Sequence, residues 1–311
     1  MTKLASRHGK KHRNESRPKV LAIYKKSAFQ LYVQERKLPE MKRLLQKRDR
    51  SVERLRESHD AHVKGVSEAT RILRSLGAKV VLRYRGDAGN ADDFDFVVTL
   101  GGDGTLLWAS HFVPADIPIM GINTAPKDSV GHFCAGHVKD LKGLFQQALD
   151  QELAMMRLSR MRVEVDEVLV SNRILNDVLF AHECPAATSR YLIEHNGKVE
   201  DQKSSGIWVG PAAGSTAARR SAGGHVMRIQ SKRLEYVVRE PYFEPTQDYK
   251  MTRGYIEDGS ELEIQSKMRP GKLYLDGSRL QFAVPFGSTI RMTRSDEPLL
   301  LFGYRRMKNK S

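Results

Sequence analysis

The sequence predicts an α/β unit joined to a mostly antiparallel β unit, and three observations predict it. Strand-like and helix-like patterns alternate over the first 140 residues. Short runs of period-2 alternation replace them beyond about Asp150, and Asn-Gly, Asp-Gly and Gly-Ser turns punctuate that second half.

Each element has its own reason. The run Lys19-Val20-Leu21-Ala22-Ile23-Tyr24 is apolar, bounded by charge and too short for a helix, so it reads as a buried strand. From Ala28 to Leu76 the chain is dense in Arg, Lys, Glu, Leu and Gln with Pro39 as its one proline, which predicts one or two helices with solvated faces. Gly77 stops the helix, and Ala78 to Tyr84 forms a second strand. Phe94 to Leu100 is a third strand that runs straight into glycines. In the second half, Arg162–Val165, Ser189–Glu194, Leu262–Ile264 and Lys272–Leu275 alternate as antiparallel strands do. The expected organisation is a basic tail over 1–17, a Rossmann-like parallel sheet with helices over 18–145, a mostly antiparallel β domain over 146–290, and a segment 291–311 that returns to the first domain.

Composition narrows the class. The chain has 311 residues, and 40% hydrophobic content is enough for a sizeable core, which excludes intrinsic disorder. No stretch approaches the roughly 18 to 20 apolar residues of a membrane span, and the N-terminus lacks the apolar centre of a secretory signal. A cytoplasmic, membrane-free protein is expected. Cys134 and Cys184 make no disulfide framework or zinc spacing and are expected to be buried, reduced thiols. The 52 Lys and Arg against 37 Asp and Glu leave a formal charge of +15. Six of those units lie in Met1–Lys19, where seven basic residues face only Glu15. Such a tail can touch nucleic acid or acidic membrane, although a solvated tail is the plainer expectation. The +9 on the remainder suits polyanionic ligands, since a positive field gathers phosphates before contact.

The most informative stretch is Thr99-Leu100-Gly101-Gly102-Asp103-Gly104-Thr105. A strand ending in glycines and opening a helix lets backbone N–H groups approach phosphate oxygens. A carboxylate inside such a cradle is repelled by phosphate unless it accepts a proton or helps hold a cation, so Asp103 reads as a general base. The alternative is a tight turn in which Asp103 caps the helix. The stretch is neither a Walker A sequence nor a dinucleotide Gly-x-Gly-x-x-Gly.

Gly-Gly-Asp-Gly-Thr is shared by NAD kinases, diacylglycerol and sphingosine kinases and phosphofructokinases. A second block, Gly214-Ser215-Thr216-Ala217 followed by Ser221-Ala222-Gly223-Gly224, resembles the NAD kinase segment and is not carried by lipid kinases. Gly121-Ile122-Asn123, Leu175-Asn176-Asp177-Val178 and the run from Lys272 to Asp276-Gly277 complete the family order. Within the family, Ala181-His182-Glu183-Cys184-Pro185-Ala186 and Val238-Arg239-Glu240-Pro241 are most similar to plant-type NADH kinases.

The resemblance implies an enzyme that transfers the ATP γ-phosphoryl group, with a divalent metal such as Mg2+, to the 2′-hydroxyl of the adenosine ribose of NAD+ or NADH. It implies Asp103 as the catalytic base and Gly101, Gly102, Gly104 and Thr105 on the ATP phosphates. Asn123, Asn176, Asp177, Gly214, Ser215, Thr216 and Ala217 would bind NAD(H), and no metal ligand is assigned. Partners would be ATP, NAD(H) and a homodimer or larger homo-oligomer in which the β domain completes a neighbour's site. Two further readings remain: a lipid kinase sharing the glycine turn, and a basic nucleic-acid-binding protein, which would interleave basic and aromatic residues on a β-face.

Departures carry expectations too. The family's usual Asp before Gly is Ser205 and its usual Tyr after Gly-Ser-Thr-Ala is Ala218. Loss of an acid near the nicotinamide, which is cationic only in NAD+, predicts a relative preference for NADH. Thr124 to Val130 lengthens the loop before Gly131-His132-Phe133, so His132 faces either ligand or solvent. Arg219 and Arg220, directly after the Gly-Ser-Thr-Ala turn, could meet a phosphate, but solvated surface is the plainer reading.

Overall fold

The computed structural model describes residues 17–87, 89–243 and 248–304, so the basic tail, apart from Arg17, lies outside the described residues. The strands in chain order are β1 (Lys19–Tyr24), β2 (Lys79–Tyr84), β3 (Phe96–Leu100), β4 (Ile119–Asn123), β5 (Cys134–His137), β6 (Met155–Leu158), β7 (Met161–Val165), β8 (Val168–Ile174), β9 (Val178–His182) and β10 (Ser189–His195). They continue as β11 (Lys198–Ser204), β12 (Ile207–Pro211), β13 (Leu234–Val238), β14 (Arg253–Ile256), β15 (Glu261–Ser266), β16 (Gly271–Leu275), β17 (Leu280–Val284), β18 (Thr289–Arg294) and β19 (Leu299–Phe302). The α-helices are α1 (Pro39–Gln46), α2 (Leu55–Ser75), α3 (Asp103–Ser110), α4 (Leu141–Leu149) and the single turn α5 (Ala218–Ser221).

The first sheet runs β2-β1-β3-β4-β19-β6, with β5 paired to β4. All its pairings are parallel except that of β6 with β19. Side chains on successive residues of β1 leave on opposite faces, so Val20 and Ala22 enter one apolar cluster and Leu21 and Ile23 the other. Both faces are therefore buried, as a parallel sheet requires. Helix α2 covers the first face with Val66, Ala69 and Leu73, spaced by three and four residues. Helix α3 covers the second with Leu106 and Ala109.

The basic stretch from Ala28 to Leu76 is more segmented than one or two helices: a π-turn at Gln30–Glu35, α1, a 3-10 turn at Arg50–Val52 and α2. The breaks coincide with Lys37 and Arg48, whose φ angles of 52° and 51° are left-handed and end a helix without a glycine to mark it.

The second half folds into two antiparallel six-stranded sheets, β11-β10-β15-β18-β7-β8 and β14-β13-β12-β9-β16-β17. Their inner faces share one apolar cluster, in which Ile193 pairs with Ile264, and Ile264 with Ile290, across the first sheet, and Val178 pairs with Val209 and Leu275 across the second. The two halves meet over an apolar seam. Leu175 and Ala213 from the β domain belong to the same cluster as Leu106, Phe133 and Leu299. Arg160, fully buried at the junction, ties them further by donating to the carbonyls of Ser110, Val113 and Glu297 at 2.9, 2.9 and 2.6 Å. Among the described residues no helix is long and apolar enough to cross a membrane.

Candidate active site

Strand order reverses between β1 and β3: from β1 the chain crosses to β2 on one side, and it then returns to β3 on the other. Ligands of open α/β sheets bind in the crevice at the carboxyl ends of strands at such a switch point. Gly101 follows β3 there and Lys25 follows β1.

Close packing explains the glycines. A Cβ on Gly102 would lie 1.8 Å from Ser129 Oγ, so only hydrogen fits beneath the 124–130 loop. A Cβ on Gly104 would meet nothing within 4 Å, so this position opens onto free space at the first turn of α3. Two cavities adjoin it. One is bounded by Lys25, Tyr32, Arg85, Gly102, Thr105 and Arg279, the other by Arg85, Trp108, His111, Asp276, Arg279 and Leu280. The Thr105 hydroxyl is buried and has no hydrogen-bond partner among the described residues, which leaves it free to meet a ligand oxygen.

Asp103 is aimed by the backbone. Its Oδ2 accepts the His132 N–H and its Oδ1 the Phe133 N–H, each at 2.8 Å. An ionised carboxylate has about four lone-pair positions, so two remain for a substrate. The loop that supplies these donors is itself anchored. Asn123, 1% exposed, donates Nδ2 to the Ser129 carbonyl at 2.9 Å and accepts the Ala125 N–H at 3.1 Å. Both ends of that amide are engaged with the loop, so Asn123 shapes it from behind. Arg54 and Asp128 pair at 2.9 Å, and buried His62 links Thr124 Oγ1 at 2.7 Å to the Lys25 carbonyl at 2.6 Å. The His132 ring stands edge-on to Phe133 and Tyr304. Cys134 Sγ reaches the Gly101 carbonyl at 3.7 Å, and burial, then Asp103, pushes its thiol up to about 12, an unreactive group. Cys184, expected to be buried, is exposed, because it lies in the loop after β9 rather than on a core-facing strand.

A second cluster forms across the seam. The carboxylate of Asp276, in the turn between β16 and β17, accepts the N–H groups of Leu175, Asn176 and Asp177 at 2.9, 2.6 and 3.1 Å. His111 at the end of α3 places Nε2 3.0 Å from the same carboxylate, so this turn touches the helix that follows the glycine turn. Asn176 Oδ1 is buried without a hydrogen-bond partner among the described residues. Asp177, 5% exposed, is pushed up to about 7 by burial and then by Asp276, against the pull of Arg219. Gly214 rests on this arch, since a Cβ there would lie 1.9 Å from the Asn176 carbonyl oxygen. Ser215 is buried and accepts the Met227 N–H at 3.0 Å, while Thr216 is exposed and Ala217 half-buried on the rim. Arg219, read from the sequence as surface, is fully buried 3.1 Å from fully buried Glu235, a carboxylate sixteen residues away that sequence alone did not pair with it.

The sequence-derived site residues thus gather as two groups, Gly101–Thr105 and Asn176–Asp177 with Gly214–Ala217, with Asn123 behind the first. Sequence reasoning missed Lys25, Arg85 and Arg279, which converge on Gly104. Position after the carboxyl ends of β1 and β2 was the available signal for the first two. A separate groove, lined by Tyr24, His62, Val66, Arg71, Arg74 and Leu82, contains none of the motif residues.

A glycine turn at a sheet's switch point, facing a polar arch across a domain seam, is the arrangement of a two-domain nucleotide-binding protein. Residues 5–152 match the family model described as the ATP-NAD kinase N-terminal domain. The chain is 31% identical over 261 residues to a probable NADH kinase of Oryza sativa subsp. japonica, covering 77% of this chain and 80% of that protein. It is 33% identical over 230 residues to an NADH kinase of Arabidopsis thaliana, covering 67% and 72%. In structure it is similar to an NAD kinase from Archaeoglobus fulgidus in complex with ATP, with a TM-score of 0.64, 20% identity and coverage of 93% and 94%. Yeast NADH kinase complexed with NADH also gives 0.64, at 15% identity, covering 94% of this chain and 85% of that one. The chain belongs to the NAD kinase family.

Proposed function

We propose that this protein is an ATP-dependent NAD(H) kinase, which moves the γ-phosphoryl group of ATP to the 2′-hydroxyl of the adenosine ribose of NAD+ or NADH and so forms NADP(H). The observation that carries the reading is the junction itself. The glycine turn holding Asp103 and the arch holding Asn176 and Asp177 are joined by the His111–Asp276 contact, in a chain whose relatives are named NADH and NAD kinases. The lipid kinase reading is not favoured.

Phosphoryl transfer leaves the protein little covalent work, so positioning and charge neutralisation dominate. The 2′-hydroxyl oxygen bonds to the γ-phosphorus, the bond to the β–γ bridging oxygen breaks, ADP leaves, and the hydroxyl proton passes to Asp103. The two backbone N–H bonds hold that carboxylate in one orientation while its remaining lone pairs face the acceptor. The N–H groups of the Gly101–Thr105 turn and the Thr105 hydroxyl receive phosphate oxygens. The unpartnered Asn176 Oδ1 and the buried Asp177 carboxyl hold ribose and adenine, and Thr216 and Ala217 line the rim.

A divalent cation such as Mg2+ is part of the proposal, bound chiefly by donor phosphates and water, since no group of three His, Cys, Asp or Glu gathers among the described residues and Mg2+ commonly binds in this way. Its contribution is neutralisation of phosphate charge. Half-buried Ser205 in place of an acid supports a preference for NADH. A homodimer or larger assembly belongs to the same reading, and sedimentation measures it directly.

The test is a matrix of ATP or polyphosphate against NAD+ or NADH, read as NADP+ or NADPH formed. Product with ATP, faster with NADH at equal concentration, is expected. Absence of product with every donor refutes the kinase reading, and a rate strongly favouring NAD+ refutes the acceptor preference.

A further inference from the structure

Three cations converge on the open side of Gly104. Lys25 follows β1, Arg85 follows β2, and Arg279 lies beyond the Asp276-Gly277 turn and reaches in from the other domain; all three line the same cavity with Gly104 and Thr105. Arg85 and Arg279 also bound the adjoining cavity.

Their surroundings leave them short of anions. Arg85 is 8% exposed, and its Nε is sealed from solvent without a hydrogen-bond partner among the described residues. Trp108 Nε1 bonds the Arg85 backbone carbonyl at 2.5 Å, which does nothing for the guanidinium. Burial and then the charge of Arg279 work against the Arg85 cation, while Tyr84 favours it by charge and by a side-chain hydrogen bond that leaves Nε unpaired. Lys25 is held below the usual lysine range by burial and then by Arg85, with weaker attraction from Asp128. The acids on the walls of these two cavities are engaged elsewhere, Asp128 with Arg54 and Asp276 with the N–H groups of Leu175, Asn176 and Asp177. Arg279 makes no hydrogen bond or ion pair among the described residues. A fold rarely keeps a buried guanidinium nitrogen unpaired beside a second arginine unless a ligand supplies the missing acceptor. Guanidinium forks match phosphate oxygens in geometry as well as charge.

We propose that Arg85 and Arg279 close from the two domains on the phosphate chain of the donor nucleotide, with Lys25 beneath it and Gly104 leaving it room. This rests on the kinase reading and names how that site grips its donor. The donor is preferred over the acceptor because consecutive helical residues diverge by about 100°. Asp103 turns to the 132–133 loop, whereas Gly104 faces the cations, so hydroxyl and phosphate approach α3 from different directions, as in-line transfer needs.

The experiment uses Arg279→Gln and Arg279→Lys, at an exposed position where folding is not at issue, with Arg85→Gln as a second site. Steady-state kinetics are paired with calorimetric titration of inorganic tripolyphosphate. Arg279→Gln is expected to raise KM for ATP about tenfold or more, the usual worth of a hydrogen bond to a charged group. It should leave KM for NADH within about twofold, weaken tripolyphosphate by a similar factor to ATP, and be partly rescued by Lys. Unchanged KM for ATP, or a rise confined to NADH, overturns the clamp while the kinase reading stands. If wild type makes no NADP(H), the kinase reading fails separately, and tripolyphosphate binding decides the anion site: loss in Arg279→Gln supports it and equal binding overturns it.

Discussion

Replacing Asp276 by alanine removes the acceptor shared by three N–H groups and the carboxylate that His111 Nε2 approaches. The side chain is 2% exposed, so water does not readily take its place. A buried donor left unsatisfied costs about 1–3 kcal/mol, and three would cost the most if nothing relaxed. One term runs the other way: Asp276 also repels Asp177, and its loss relieves that repulsion. A net destabilisation of about 3–5 kcal/mol is expected from these terms, a large share of the stability of an ordinary domain. Asp276→Asn keeps one oxygen for the Asn176 and Asp177 N–H groups but turns an NH2 against the Leu175 N–H, so its loss should be smaller. Urea unfolding at pH 7, followed by fluorescence and circular dichroism, measures both, and KM for NADH reports the arch. Alanine stability within about 1 kcal/mol of wild type, with KM for NADH unchanged, would refute the role given to this carboxylate.

Asp103→Asn should retain the fold and dinucleotide binding while turnover falls at least about a hundredfold; near-normal turnover would remove the general-base role. Gly104→Ala puts a methyl into open space inside a helix, so the melting temperature should hold or rise while KM for ATP increases; unchanged kinetics would show that phosphate does not pass there. For Asp177 the folded carboxyl titrates near 7 against 3.8 in the unfolded chain, so the folded state binds more protons between those values and stability falls as pH rises through that window. The stability advantage of wild type over Asp177→Asn should therefore shrink by up to about 4 kcal/mol between pH 4 and 7.5, and a pH-independent difference in urea midpoints would contradict it.

What was legible in the sequence was what is local. Strand, glycines, acid and helix follow one another within Phe96–Ser110, and Asn176-Asp177 stands out as a polar pair in an apolar run. The cations around Gly104 were illegible because Lys25, Arg85 and Arg279 lie up to 254 residues apart in the chain and become neighbours only in the folded structure. Arg219, in α5, looked like surface for the same reason, since Glu235 neutralises it from β13. The breaks at Lys37 and Arg48 escaped notice because neither residue type signals a left-handed backbone.

Strand β19 has a consequence for how the molecule is made. It sits between β4 and β6 in the first sheet, and all four of its residues are buried there. The half of the protein synthesised first therefore cannot close its sheet until residue 302 has left the ribosome, after the whole β domain has emerged. Until then the Ile119 end of β4, which β5 does not cover, is open to other strands. A chain cut before Leu299 should lose not its last domain but its first, with the glycine turn that β3 presents.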